Sequence, residues 1–199
     1  MWKPIETKIM ENKKIDSFSE ENRFLSNFWP VVICYENRMY PTVEHAYQAQ
    51  KTTQEEKRQK VAALITPGEA KKFGENLKRL GKIRPDWSDE LRIQHMTALV
   101  ERKFSLSNLE LSQKLLATGD IELIEGNTWD DTFFGVCNGE GENHLGKIIM
   151  ATRTKLKAEV QKIMDALVKH NGKRHDAAKD LNIAERTLRL REQVFGILY

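Results

Sequence analysis

Hydrophobic positions recur along the chain with two spacings, and the switches between them mark out the elements. Val31 to Tyr40 alternates around Glu36-Asn37, which predicts two short strands joined by a turn, with Val32, Cys34 and Met39 facing inward. Pro41-Thr42 then opens a helix, with Thr42 as N-cap and Val43, Ala46, Tyr47 and Gln50 on one face. A second helical stretch covers Glu55 to Leu64. Thr66 and Glu69 have capping-box spacing for a restart, and Gly74 to Pro85 reads as loop and short helix. Asp86-Trp87-Ser88 leads into an amphipathic helix through Phe104, with Leu91, His95, Leu99 and Phe104 near one stripe. Asn108 to Ala117 is another helix, Ile121 to Glu125 alternates as a strand does, and Leu145 to about Leu156 returns to helix. The pattern is α+β, helix-dominated, with a small sheet.

From about Ala158 the character changes. Val160, Ile163, Met164 and Leu167 form one amphipathic helix broken at Asn171-Gly172; His175–Leu181 and Ala184 to about Phe195 give two more. The expected organisation is a lead-in over residues 1–15, a main domain over 16–156 and a small all-α module over 157–199. No internal repeat or low-complexity tract interrupts it.

Charge sharpens this division. The net charge is +3, yet from Lys155 onward ten Lys or Arg face six Asp or Glu, leaving 22 against 23 for residues 1–154. The main domain is therefore not basic enough to advertise nucleic-acid binding, whereas the tail is a candidate. Cys34 and Cys137 stand far apart without a CxxC, as free thiols in a reducing compartment do. No apolar run is long enough to span a membrane, and the N-terminus has neither the apolar core nor the cleavage site of a signal peptide. A cytoplasmic location is expected, with no membrane partner.

Three polar clusters lie beside aromatics: Phe24-Leu25-Ser26-Asn27-Phe28; Glu44 and His45 with Gln48 and Lys51; and Asn127 to Asn143 with its glycines 135, 139 and 141. Glu44, Gln48 and Lys51 share one helical face, from which a carboxylate and an ammonium can reach one ligand. The competing reading is a solvated stripe with a surface ion pair. His45 has no second ligand at helical spacing, so no metal site is read there. The glycines permit close backbone approach to a ligand or tight turns. Trp129, Phe133 and Phe134 read either as core or as a platform for a base.

These clusters also carry a resemblance. Phe24-Leu25-Ser26-Asn27-Phe28, Tyr40-Pro41-Thr42-Val43-Glu44-His45-Ala46-Tyr47-Gln48-Ala49-Gln50-Lys51, Trp129-Asp130-Asp131-Thr132-Phe133-Phe134-Gly135 and Gly141-Glu142-Asn143-His144-Leu145-Gly146-Lys147-Ile148-Ile149-Met150 resemble the NADAR (YbiA-like) family in order and spacing. The resemblance spans Asp16 to Leu156. It implies an N-glycosidase acting on a nucleotide-like substrate, either a ribosylamino-pyrimidine phosphate of the riboflavin pathway or ADP-ribose attached to guanine in nucleic acid. Such a reaction needs a carboxylate beside an oxocarbenium-like centre and help for the departing base. Glu44 and Asp131 are the carboxylates within the resembling blocks. Lys51 would hold phosphate or attack the ribose carbon. Asn27, Gln48 and Asn143 would bind the substrate's polar groups, and Phe28 or Trp129 would stack. The asparagines can equally be turn residues. Some relatives carry Trp where this chain has Phe134. Neither a metal nor a cofactor is implied.

His170 to Arg189 resembles the Fis-type helix-turn-helix of bacterial regulators. In that reading Arg186, Thr187, Arg189 and Arg191 face DNA. The alternatives are a dimerisation appendage, which would make the chain a homodimer, or a relic. Three functions stay open: a metabolite N-glycosidase, an ADP-ribosyl glycohydrolase delivered to DNA, and a non-enzymatic regulator that senses a nucleotide and binds DNA.

Overall fold

The computed structural model describes residues 14–198. The expected lead-in therefore lies outside the described residues apart from its last two positions. The described chain forms two compact units, one from Ile15–Lys103 with Leu123–Ile149, the other from residues 104–122 and 150–198.

The first unit begins with a 3-10 turn, Glu20–Leu25, whose Phe24 and Leu25 are buried. Strands β1 (Ile33–Tyr35) and β2 (Arg38–Tyr40) pair antiparallel, with Ile33 opposite Tyr40 and Cys34 opposite Met39. Glu36 and Asn37 both have positive φ, 47° and 59°, the backbone of the tight hairpin turn whose twist matches its strands. The hairpin is where the alternation predicts it, but in the opposite phase. Ile33, Tyr35 and Tyr40 are buried, while Val32, Cys34 and Met39 are exposed. A period of two has two solutions, and the choice follows from which face the helices cover.

Helix α1 (Val43–Gln50) starts at Thr42, whose hydroxyl accepts the His45 N–H at 3.2 Å. Helices α2 (Glu55–Ala62), α3 (Pro67–Arg79) and α4 (Asp89–Lys103) follow. The capping box at the start of α3 is present: Thr66 and Glu69 satisfy each other's backbone N–H groups. Gly74 does not break this helix, contrary to the loop expected from Gly74 onward, because α3 uses it for close contact with α1. Helices α2, α3 and α4 all pack on α1, which leaves every one of its eight residues buried. Ile121 to Glu125 is not a strand; Leu123 makes an isolated bridge to Ile15. The pairing falls instead on β3 (Gly126–Asn127) and β4 (Val136–Cys137), which run parallel.

Helix α6 (His144–Lys169) contributes its first turns here and continues without interruption past Leu156. The second unit contains α5 (Leu109–Ala117), the remainder of α6, α7 (Arg174–Asp180) and α8 (Glu185–Phe195). Ile163, Leu167, Ala177, Ala178 and Leu188 form its core, where the two alanines let α7 approach closely. Arg153 ties α6 to the end of α5, donating to the Thr118 hydroxyl at 2.7 Å and the Ile121 carbonyl at 2.9 Å. No helix among the described residues is long and apolar enough to cross a membrane.

Candidate active site

The first unit encloses a cleft of about 950 Å³ lined by residues from the segments flanking the 3-10 turn, from α1, α3 and α4, and from the loop between β3 and β4. Glu44, Lys51 and Asp131 all line it, as do Asn27, Phe28, Gln48 and Trp129. The reading of Glu44 and Gln48 as a solvated stripe fails, since both are buried.

Gln48 donates to Glu44 Oε1 at 2.7 Å. Burial holds the Glu44 carboxyl above the usual carboxylate range, although the Gln48 hydrogen bond and the Lys51 charge pull the other way. Burial likewise depresses Lys51 to about 8, against an attraction to Glu44 that raises it. Lys51 therefore sits nearer its neutral form than a surface lysine. The packing of α3 reinforces this arrangement. A Cβ on Gly74 would collide with the Gln48 amide, 2.7 Å from its Cδ, and would stand 3.2 Å from Lys51 Nζ.

The loop that carries Asp131 is organised by Asn127. Its side-chain oxygen accepts from the N–H groups of Trp129 (3.2 Å) and Asp131 (3.1 Å), and its amide donates to the carbonyls of Asp131 (2.8 Å) and Val136 (3.2 Å). Asp131 Oδ1 in turn accepts from the N–H groups of Phe133 (3.2 Å) and Phe134 (2.9 Å). Both bonds fall on Oδ1 of a residue that lines the cleft. Gly135 lets this loop close on itself: a Cβ there would meet the Glu125 carbonyl and stand 2.6 Å from Asn127 Nδ2.

The aromatics divide between the two readings. Phe134 is buried and meets the Tyr47 ring edge-on at 5.4 Å, whereas Trp129 is 55% exposed with Lys71 Nζ 5.0 Å from its ring centre. Asn27 lines the cleft with its Oδ1 buried and without a hydrogen bond. Asn143 does not line the cleft. Its φ is 51°, and its side chain accepts from Glu125 N–H (3.1 Å) and donates to the Leu123 carbonyl (2.9 Å). Asn143, expected to bind substrate, holds backbone here and is not brought to the cleft with the other expected residues. His45 is buried and contacts the Thr42 hydroxyl at 2.8 Å.

Several cleft residues are given no site role by sequence reading. Arg92 Cζ stands 3.6 Å from the centre of the Phe133 ring, Tyr47 is pushed up to about 12 by burial, and Lys71 and Glu125 line the walls. The helical stripe of α4 could have indicated Arg92, but nothing in the local pattern singles out Glu125. Among the described residues no three His, Cys, Asp or Glu side chains gather as metal ligands do.

In the second unit, Arg186 and Arg189 are exposed on α8, while Thr187 and Arg191 are half-buried. Arg189 is paired with Glu185 at 2.6 Å, and the buried Arg191 Nε has no hydrogen bond. The module is fastened by Arg174, which donates to the buried Glu192 at 3.0 Å.

A family model described as the NADAR domain matches residues 6–157. An N-glycosidase of Nostoc punctiforme is 39% identical over 140 residues, covering 66% of this chain and 84% of that protein. A riboflavin biosynthesis protein of Vibrio vulnificus is 36% identical over 154 residues, 76% of this chain. The match spans 41% of the Vibrio protein's length. The solution structure of YbiA from Escherichia coli superposes with a TM-score of 0.66 at 30% identity, covering 76% of this chain and 89% of that one.

Proposed function

The chain belongs to the NADAR family, and on that premise we propose that it is an N-glycosidase that hydrolyses the bond between sugar and base in a nucleotide-like substrate. The observation that carries this reading is the convergence of Glu44, Asp131 and Lys51 on one cleft. The reaction balances as N-riboside plus water giving free sugar plus free amine. As the C–N bond breaks, its electron pair leaves with nitrogen and positive charge builds at the anomeric carbon. Asp131 faces that charge. Glu44, held toward its neutral form yet able to ionise beside Lys51, accepts the proton of the attacking water. With a value of about 8, roughly a tenth of Lys51 is neutral at pH 7, enough for attack on the ribose carbon to give a Schiff-base-type intermediate. Its alternative role is to neutralise a phosphate. Asn27, whose carbonyl oxygen lacks a donor, suits a ribose hydroxyl, and Trp129 or Phe28 suits the base.

The substrate is a ribosylamino-pyrimidine phosphate or ADP-ribose on guanine in nucleic acid. A mass-spectrometric product screen across both classes separates them, with release of base or amine expected from one and lost in Glu44→Gln. Release from neither sinks the reading.

A second reading concerns the C-terminal residues 157–199 beside a catalytic domain over 16–156. Helices α7 and α8, joined through residues 181–184, resemble a helix-turn-helix, and Arg186 projects to solvent from α8. It would deliver the enzyme to DNA, as a dimer, or serve a nucleotide-sensing regulator without turnover. DNA affinity of the full chain should weaken with salt and in Arg186→Ala. Equal affinity in both tests removes the DNA role.

A further inference from the structure

We propose that Glu125 is the acid that protonates the departing nitrogen, a role that rests on the N-glycosidase reading. The case starts with the leaving group. A ribosylamino substrate loses an exocyclic amine, and expelling such a nitrogen as an anion is prohibitive, so a proton must reach it as the bond breaks. In that reading Glu44 takes the proton of the attacking water and Asp131 faces the anomeric cation. Four further carboxyls line the same cleft; those of Glu75, Asp89 and Asp130 are on exposed residues, whereas that of Glu125 has an oxygen buried in the wall.

Its backbone is fixed on both sides. The N–H is held by Asn143 at 3.1 Å, the carbonyl accepts from Val136 at 2.8 Å, and the preceding Ile124 N–H bonds to Ile15 at 2.8 Å. The next residue, Gly126, is pressed against the Asp16 carbonyl so closely that no Cβ fits. The Glu125 side chain thus projects from a rigid base, as a proton donor that must meet one atom requires. No hydrogen bond reaches its buried Oε2. A carboxylate oxygen without a donor is costly in such a place, whereas a protonated carboxyl that meets its acceptor only when substrate arrives is not.

The surrounding charges agree. Burial pushes the Glu125 carboxyl up to about 7, helped by Asp131 from the loop and Glu44 from α1 and opposed by Lys103 from α4 and Lys71 from α3. Lys103 is fully buried behind the cleft, where it donates to the carbonyls of Leu25 (3.1 Å) and Ser26 (2.6 Å). In the catalytic step the Glu125 O–H bond breaks, its proton bonds to the departing nitrogen, and the C–N pair becomes that nitrogen's lone pair. Water attacking the anomeric carbon gives one proton to Glu44, and passage of that proton to Glu125 through solvent restores the starting state.

The test uses the full chain carrying carbon-13 at the glutamate carboxyls. A resonance absent from Glu125→Gln should report a carboxyl that is protonated at pH 6 and ionises near 7. With a ribosylamino-pyrimidine phosphate as substrate, kcat should fall above pH 7. Glu125→Gln should lower kcat about 100-fold and abolish that alkaline limb. Glu125→Asp keeps the proton but withdraws it, so it should lose rate with the limb intact; it also stands in if the Gln variant fails to fold. A Glu125 carboxyl that is ionised throughout pH 5–8, or a Gln variant that keeps the limb or loses less than threefold, overturns the proposal. A wild-type chain that turns over no ribosylated substrate sinks the N-glycosidase reading instead. The carboxyl titration, read without substrate, still decides whether Glu125 holds the proton.

Discussion

Gly74→Ala sets two well-known effects against each other, and the structure decides the sign. In the interior of α3, alanine should favour the helix by about 1 kcal/mol over glycine. Against this, the new Cβ would overlap the Gln48 amide and press on Lys51 Nζ at 3.2 Å. Gln48 is the end of a flexible side chain, yet it is buried and bonded to Glu44 at 2.7 Å, so it cannot swing aside without losing that bond. Overpacking of this kind costs about 1–3 kcal/mol. The net expectation is a loss of up to about 2 kcal/mol. Activity should fall as well, because the displaced groups are Gln48 and Lys51. The decisive assay is a double-mutant cycle by urea unfolding. In a Gln48→Ala background the obstacle is gone, and Gly74→Ala should become stabilising by about 1 kcal/mol, a coupling of about 1–3 kcal/mol. If Gly74→Ala changes stability equally in both backgrounds, the contact between α3 and α1 does not control this position.

Three further outcomes are expected. Glu125 is raised from 4.5 to about 7, so it favours the folded state fully below 4.5, and that contribution is lost as pH rises through 7. Wild type minus Glu125→Gln stability should therefore drop by up to about 3 kcal/mol between pH 4.5 and 8; the difference matters because Lys51 and Lys103, both depressed, push the total the opposite way. Thr66→Ala removes the hydroxyl half of an exposed capping box, leaving the backbone N–H to donate to Glu69, and should cost about 1 kcal/mol in thermal or urea unfolding, with kcat unchanged. Trp129→Ala, at a residue 55% exposed, should leave stability within about 0.5 kcal/mol while raising KM about tenfold or more; an unchanged KM excludes base stacking there.

How much of this was legible depends on whether the cause is local. Thr42 and the Thr66–Glu69 box announce their helices because a cap is a contact within one turn. Glu36-Asn37 announces the hairpin for the same reason, but the buried side of β1 and β2 is chosen by distant helices, and the pattern of Val32, Cys34 and Met39 pointed to the wrong one. Gly74 reads as a breaker until the partner helix that needs its missing side chain is known. Glu44, Lys51 and Asp131 came mainly from resemblance, since spacing alone could not say whether α1 had a wet face. Glu125 was hidden in an Ile-Glu-Leu-Ile-Glu alternation, where a glutamate reads as a strand's solvent side. Long-range bonds to its backbone from Asn143 and Val136 set it in the cleft wall instead.

Helix α1 has a bearing on how the cleft can open. Its eight residues are all buried, against neighbouring helices or in the cleft wall, so none of its turns can fray separately from its neighbours. Amide hydrogen exchange in α1 should then follow the opening of the whole unit rather than local breathing. Substrate must enter by displacing solvent from a standing cavity, and discrimination between candidate substrates is set by the shape of walls that binding cannot readily remodel.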